Sequence, residues 1–287
     1  MFEAIRQGYH KIRDGRGRCH RFHWIRQIAV RAIKRSRDQH QQAAKHFHLE
    51  DRHGRPSALL YPLLAYFALG TGLYLRQDRV LFPAPAHFPK ADPRDRHIDF
   101  EDLRIAVGTA GYLHAWWIPS VRGTAARNAV LVFHGNGYVI DEMVWSELAE
   151  LRAIEADLLL IDYRGYGSST PVRPSEATVQ DDARAALRYL LVDRHVPLGD
   201  VFILGRSIGS GPATDLAERN PGIAGLILES PFTSIDDAAA RLWAIRIFPV
   251  GLLLRSHFDN LSKIGSVQTR VLIVSGTDDT LTPVCRT

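Results

Sequence analysis

Only two cysteines occur in 287 residues, Cys19 and Cys285, one near each end of the chain. They make neither a metal-ligand pattern nor a disulfide framework, so a thiolate metal centre and a cystine-stapled scaffold are both excluded. No glycine-rich dinucleotide fingerprint, no phosphate-binding loop and no metal-ligand spacing of His, Asp or Glu is found, so no metal and no other cofactor is expected. Repeats and low-complexity tracts are also missing, which rules out a solenoid.

Positive charge is scarce outside the first fifth of the chain. The net charge is +5. Residues 1–56 hold 14 Lys and Arg against 5 Asp and Glu, a net of +9, which leaves the remainder at −4. A mildly acidic main domain is not expected to bind nucleic acid; only the tail suits an anionic surface. Within that tail Trp24, Ile25, Ile28, Ala29, Ala32 and Ile33 recur at helical spacing between basic residues. The pattern fits an interfacial basic amphipathic helix, with a poorly ordered basic tail as the alternative.

Long uncharged runs are rare too. The one present, residues 57–75, reads SALLYPLLAYFALGTGLYL. As a helix it extends roughly 28 Å at 1.5 Å per residue, close to the hydrocarbon thickness of a bilayer. Tyr61 and Tyr74 lie near its ends, where aromatic belts form. The sequence therefore predicts a single transmembrane helix over 57–75, with a lipid bilayer as partner; the alternative is a buried apolar helix of the main domain. Cations before the run (Arg31, Lys34, Arg35, Arg37, Lys45, Arg52, Arg55) outnumber those just after it (Arg76, Arg79). The positive-inside rule then puts the tail 1–56 in the cytoplasm and the domain 76–287 on the extracytoplasmic side.

Beyond residue 76 short apolar runs alternate with helical patterns. Two strands over 99–107 and 111–118 flank a turn, and continuous apolar runs follow at 129–133, 158–161, 201–204, 223–228 and 271–274. Such runs suit strands buried on both faces of a parallel sheet. Helices are expected over 140–155, 176–193, 212–219 and 235–254. The alternation predicts a doubly wound, mostly parallel α/β sheet opened by an antiparallel hairpin, with ligands beyond the carboxyl ends of the strands.

At one such end an apolar strand runs into Gly205-Arg206-Ser207-Ile208-Gly209, and a helical stretch follows. Strand, sharp turn and helix with a serine at the apex is the arrangement that exposes a nucleophilic hydroxyl. Gly205 and Gly209 leave room for close backbone packing. The helix N-terminus beside Ser207 favours an oxyanion. The backbone N–H of Ile208 is one expected oxyanion donor. The turn His134-Gly135-Asn136-Gly137, after the strand ending at Phe133, is expected to supply the other, assigned to Asn136 within one residue. His134 and Gly135 are read as supporting that loop. Residues 162–169 (DYRGYGSS) are read as a structural loop bordering the site, and Glu229 as a capping or turn residue after its strand, with a triad acid as the alternative. Asp278 and Asp279 follow the last strand, where a carboxylate can orient an imidazole.

These five ordered motifs, with Gln77-Asp78-Arg79-Val80-Leu81-Phe82-Pro83 after the apolar run, resemble the α/β-hydrolase superfamily, and within it the membrane-anchored serine hydrolases. The resemblance covers about residues 57–287. It implies acyl hydrolysis of esters or thioesters through an acyl-enzyme on Ser207, with Asp279 as the triad acid. It does not define the acyl substrate or the oligomeric state. The superfamily's base is a histidine following the acid. No histidine follows Asp279 here, and the last in the chain is His257. The expectation is thus a chain cut before its catalytic His, with a catalytically impaired binding or scaffolding protein as the alternative, and with strand 271–274 as an uncovered edge.

Overall fold

The computed structural model describes residues 57–85, 90–121, 128–242 and 247–276. The basic tail, with its expected amphipathic helix at 24–33, lies outside the described residues, as do Asp278 and Asp279. The chain divides into two compact units, 1–62 and 63–287. Of the smaller one only the opening turns of the first helix are described.

Seven strands form one sheet in the order β1-β2-β4-β3-β5-β6-β7. They are β1 (Glu101–Ala106), β2 (Tyr112–Ile118), β3 (Ala129–Phe133), β4 (Asp157–Ile161), β5 (Val201–Arg206), β6 (Gly225–Glu229) and β7 (Val271–Val274). The hairpin β1–β2 is antiparallel and joins β4 antiparallel. The other neighbours run parallel. The mostly parallel sheet with a leading hairpin agrees with the expectation from the apolar runs.

Alternate residues of the central strands feed two separate cores, which is why those strands carry no polar face. Leu131, Phe133, Leu159, Ile161 and Ile203 pack with Val179, Ala183 and Ala186 of α4 (Glu176–Val192) and with Ala213 and Leu216 of α5 (Ser210–Arg219). Val130, Val132, Leu158 and Leu160 face the opposite way. They meet Ile140, Met143 and Val144 of α2 (Ile140–Ser146), and Leu148 and Leu151 of α3 (Leu148–Arg152).

Two helices expected as continuous are broken. The stretch 140–155 parts at Glu147, whose backbone leaves the helical region (φ −132, ψ −19) while its side chain pairs with Arg206. The stretch 235–254 parts into α6 (Ile235–Ala240) and α7 (Val250–Leu253). Pro249 precedes α7, where a proline ring cannot continue a preceding helix. A last helix, α8 (Asn260–Ile264), leads towards β7.

The transmembrane expectation needs correction. Residues 57–75 fall within a longer helix, α1 (Ser57–Leu81), and no helix among the described residues is long and apolar enough to cross a membrane. The apolar run gives way to Arg76-Gln77-Asp78-Arg79, and this polar turn grips the domain. Gln77 donates from Nε2 to the Leu253 carbonyl (2.9 Å) and accepts the Arg255 N–H (2.8 Å). Asp78 takes a bond from the Arg255 guanidinium at 2.7 Å. One turn of helix earlier than Gly70, Tyr66 stacks on Phe248 with ring centroids 4.7 Å apart. Leu63, Leu64, Phe67 and Leu69 remain exposed.

Candidate active site

In the sheet order the chain leaves β3 towards β4 on one side and leaves the adjacent β5 towards β6 on the other. The carboxyl ends of β3 and β5 therefore open onto a crevice at the switch point, where ligands bind in sheets of this kind. The turn 134–137 emerges from β3 there, and Ser207 from β5.

Ser207 has φ +50, the left-handed region, which costs a non-glycine residue about 1–2 kcal/mol. The flanking glycines show what holds it there. A Cβ on Gly205 would lie 2.5 Å from the Gly209 carbonyl oxygen and 2.6 Å from Ala213 Cβ. A Cβ on Gly209 would lie 2.4 Å from the Phe133 carbonyl oxygen and 2.8 Å from that of His134. The strand, the turn and the first turn of α5 are thus in backbone contact, and the elbow is wedged against the end of β3. Gly135 completes the apposition: a Cβ there would sit 3.7 Å from Ser207 Cβ. The loop assigned to the oxyanion does stand beside the serine, with Asn136 exposed and Ile208 buried behind the elbow.

His134 is a structural residue of that loop. It is buried, its Nδ1 lies 2.9 Å from the Gly135 carbonyl oxygen, and its ring packs on Tyr163 and Tyr166. Burial holds its imidazole below the usual histidine range. The Tyr163 hydroxyl donates to the His134 carbonyl at 3.2 Å. The loop after β4, read from sequence as structural, fills that part. Arg164 forms a buried ion pair with Asp182, its backbone N–H also bonding Asp182 at 2.9 Å.

Beside Ser207 the side chain of Arg206 makes a charged fork that sequence reasoning missed. It binds Glu229 through three contacts of 2.8–2.9 Å and also pairs with Glu147. Glu229 is therefore held by Arg206, which fits neither a triad acid nor the capping role expected of it. The two groups line a cavity of about 20 Å³ closed by His134, Gly135, Met143 and Leu204.

A second cluster lies on the α2 side of the sheet. His114 of β2 has Nδ1 3.2 Å from Asp162 Oδ2 and Nε2 2.9 Å from Asp102 Oδ1. Asp162 Oδ1 accepts the Ile140 N–H at 2.9 Å and so caps α2. Burial, with repulsion from Asp162, pushes the Asp141 carboxyl up to about 6. These residues come from three distant segments, and no local sequence signal announces their meeting.

No described histidine hydrogen-bonds to Ser207. His257 pairs with Asp236 at 2.8 Å on the exposed surface, and His195 precedes β5, at the opposite end of that strand from the elbow. β7 ends level with Glu229, where Ser230 donates to the Val274 carbonyl at 2.7 Å. The chain towards Asp279 thus leaves the sheet at the same end as Ser207. Along β7, residues Val271 to Val274 are exposed.

Comparisons with known proteins agree with this geometry. Residues 124–261 match the family described as "Hydrolase_4: Serine aminopeptidase, S33". An uncharacterized protein of Mycobacterium tuberculosis is 34% identical over 218 residues, which cover 74% of this chain and 73% of the relative. Protein bem46 of Schizosaccharomyces pombe is 28% identical over 226 residues, covering 74% and 72%. Alpha/beta hydrolase domain-containing protein WAV2 of Arabidopsis thaliana is 26% identical over 247 residues, covering 79% of each. Among solved structures an esterase of Pyrococcus furiosus superposes with TM-score 0.58 at 19% identity, over 70% of this chain and 78% of that one. At that identity the likeness shows the fold.

Proposed function

The chain belongs to the α/β-hydrolase superfamily, and on that premise we propose that it is a serine hydrolase cleaving carboxylic esters or thioesters through an acyl-enzyme on Ser207. The observation that carries this reading is the left-handed backbone of Ser207, held at the switch point of the sheet beside the 134–137 loop. Strain at a site over-determined by its surroundings is characteristic of a functional position.

In the proposed reaction Ser207 Oγ attacks the acyl carbon and its proton passes to an imidazole base. The carbonyl oxygen gains the negative charge and is met by the N–H groups of Ile208 and Asn136. Collapse expels the alcohol or thiol, which takes the proton back, and water then releases the acid by the same steps. Asp279 is assigned as the carboxylate orienting the base. None of the described histidines takes the base's place. A second reading is a hydrolase-fold protein that binds an acyl group or a partner without turnover.

A fluorophosphonate probe and short p-nitrophenyl esters separate the two. Labelling and turnover that vanish in Ser207→Ala support the hydrolase. Labelling that persists in that variant removes Ser207 from the reaction. A folded parent that neither labels nor turns over leaves the binding reading.

We further propose attachment to a membrane surface through the exposed apolar residues of α1, aided by the basic tail. Leu63, Leu64, Phe67 and Leu69 support it. The protein should float with anionic vesicles, and Phe67→Asp should weaken this; equal recovery without vesicles would end the idea. Protease digestion of spheroplasts tests the expected extracytoplasmic side.

A further inference from the structure

We propose that His114, Asp141 and Asp162 bind one divalent transition-metal ion of the zinc class, which braces the loop beside Ser207. A ring nitrogen of His114 and one carboxylate oxygen from each aspartate all lie within 4.8 Å of one another. All three residues are buried, Asp162 completely. They converge from β2, from the first turn of α2 and from the end of β4.

Three observations point to a cation. Asp141 is 7% exposed and its carboxylate accepts from the backbone N–H groups of Ala91 and of Asp141 itself, yet Oδ1 has no hydrogen-bond partner. An ionised oxygen so placed is costly unless something positive meets it. The charge count agrees: with Asp102 the group holds three carboxylates around a single imidazole, so even a protonated ring leaves a net negative site. The geometry is the third. His114 Nδ1 and Asp162 Oδ2 are 3.2 Å apart, at the long end of the N–H···O range. Two ligands about 2.0–2.1 Å from a tetrahedral zinc stand roughly 3.3 Å apart.

Asp102 supplies the outer partner such a site requires. Its Oδ1 accepts from His114 Nε2 at 2.9 Å, so a bound ion would take Nδ1 in place of the proton now shared with Asp162. A carboxylate fixing the far nitrogen of a ligating histidine is the usual second layer of zinc sites. One nitrogen and two oxygens suit an ion of intermediate softness, with water at the fourth position. The ion would join β2, β4 and α2 at Asp162, whose other oxygen holds the Ile140 N–H at the end of the 134–139 segment. His134 Nε2, buried without a hydrogen bond, stands 3.7 Å from that same oxygen.

The test uses the full chain, stripped with EDTA and titrated with Co²⁺ as a visible surrogate for Zn²⁺. The expected result is one tightly bound equivalent with d–d absorption, displaced by Zn²⁺. Asp141→Asn, which keeps the shape and removes the charge, should lower affinity at least tenfold. Asp102 is mostly exposed, so Asp102→Asn should fold normally and weaken binding by about 10–100-fold. No bound equivalent overturns the proposal. So do equal affinities in the parent and both variants, which would assign the ion to the seven histidines of residues 1–56.

Discussion

Replacing Gly209 by alanine sets two opposed effects against each other, and the structure decides between them. Gly209 has helical backbone angles (φ −64, ψ −16). At such a position alanine ordinarily stabilises by about 0.4–1 kcal/mol, because it restricts the unfolded chain. Here the new Cβ would lie 2.4 Å and 2.8 Å from the carbonyl oxygens of Phe133 and His134. Both obstacles are backbone at the end of a central strand, so the elbow has to move by more than half an ångström. Overpacking of this kind costs about 1–3 kcal/mol. The net is a loss of about 1–2 kcal/mol, or about 3–6 °C in Tm for a domain of this size. Gly265 is the control: its angles are nearly the same (φ −66, ψ −21), and a Cβ there meets nothing within 4 Å. Gly265→Ala should be neutral or slightly stabilising. Thermal and urea unfolding of both variants is the assay, with fluorophosphonate labelling as a second readout. An elbow displaced by an ångström should slow labelling by about 10²-fold. If Gly209→Ala unfolds no earlier than Gly265→Ala, the argument that backbone contact wedges the elbow against β3 is wrong.

Other perturbations give equally definite outcomes. Arg164→Ala strands the fully buried Asp182 and should cost about 3–5 kcal/mol, read by urea midpoint; a loss below 1 kcal/mol would mean that the carboxylate is relieved some other way. Gln77→Leu removes two of the bonds by which α1 grips residues 253–255, leaving the Asp78–Arg255 pair. Proteolysis should then release α1 from the folded domain, and unchanged resistance would refute the grip. Burial raises the Asp215 carboxyl, but hydrogen bonds and charges from Arg219 and Lys263 outweigh it and hold it below the usual range. A depressed carboxylate stabilises the fold above its unfolded value near 3.9, and that contribution disappears as pH falls through the folded value. Asp215→Asn should therefore lose more stability at pH 7 than at pH 3, measured by urea unfolding at both; equal losses would exclude the linkage.

The apolar runs at 129–133, 158–161 and 201–204 were legible because a strand covered on both faces carries no polar residue. The elbow was legible because its constraint is local: two glycines and a serine within five residues. What escaped was non-local. Arg206 meets Glu147 and Glu229 only after β5, β6 and α2 are assembled, and the break in the helix lies at that same Glu147. His114, Asp141 and Asp162 come together through the pairing of β2 with β4 and the capping of α2. The run 57–75 misled for a related reason. Its exposed leucines read as a bilayer span, while the grip of Gln77 and Asp78 depends on partners some 180 residues away.

The left-handed serine also bears on when this protein becomes reactive. Its backbone is held by Phe133 and His134 at the end of one strand and by Ala213 in the helix beyond it. A nascent or partly unfolded chain has no reason to keep Ser207 in that conformation, so its hydroxyl is then an ordinary alcohol. On the proposed serine-hydrolase reading, reactivity is withheld until β3 and β5 have paired, and the turn reports completion of the sheet that carries it.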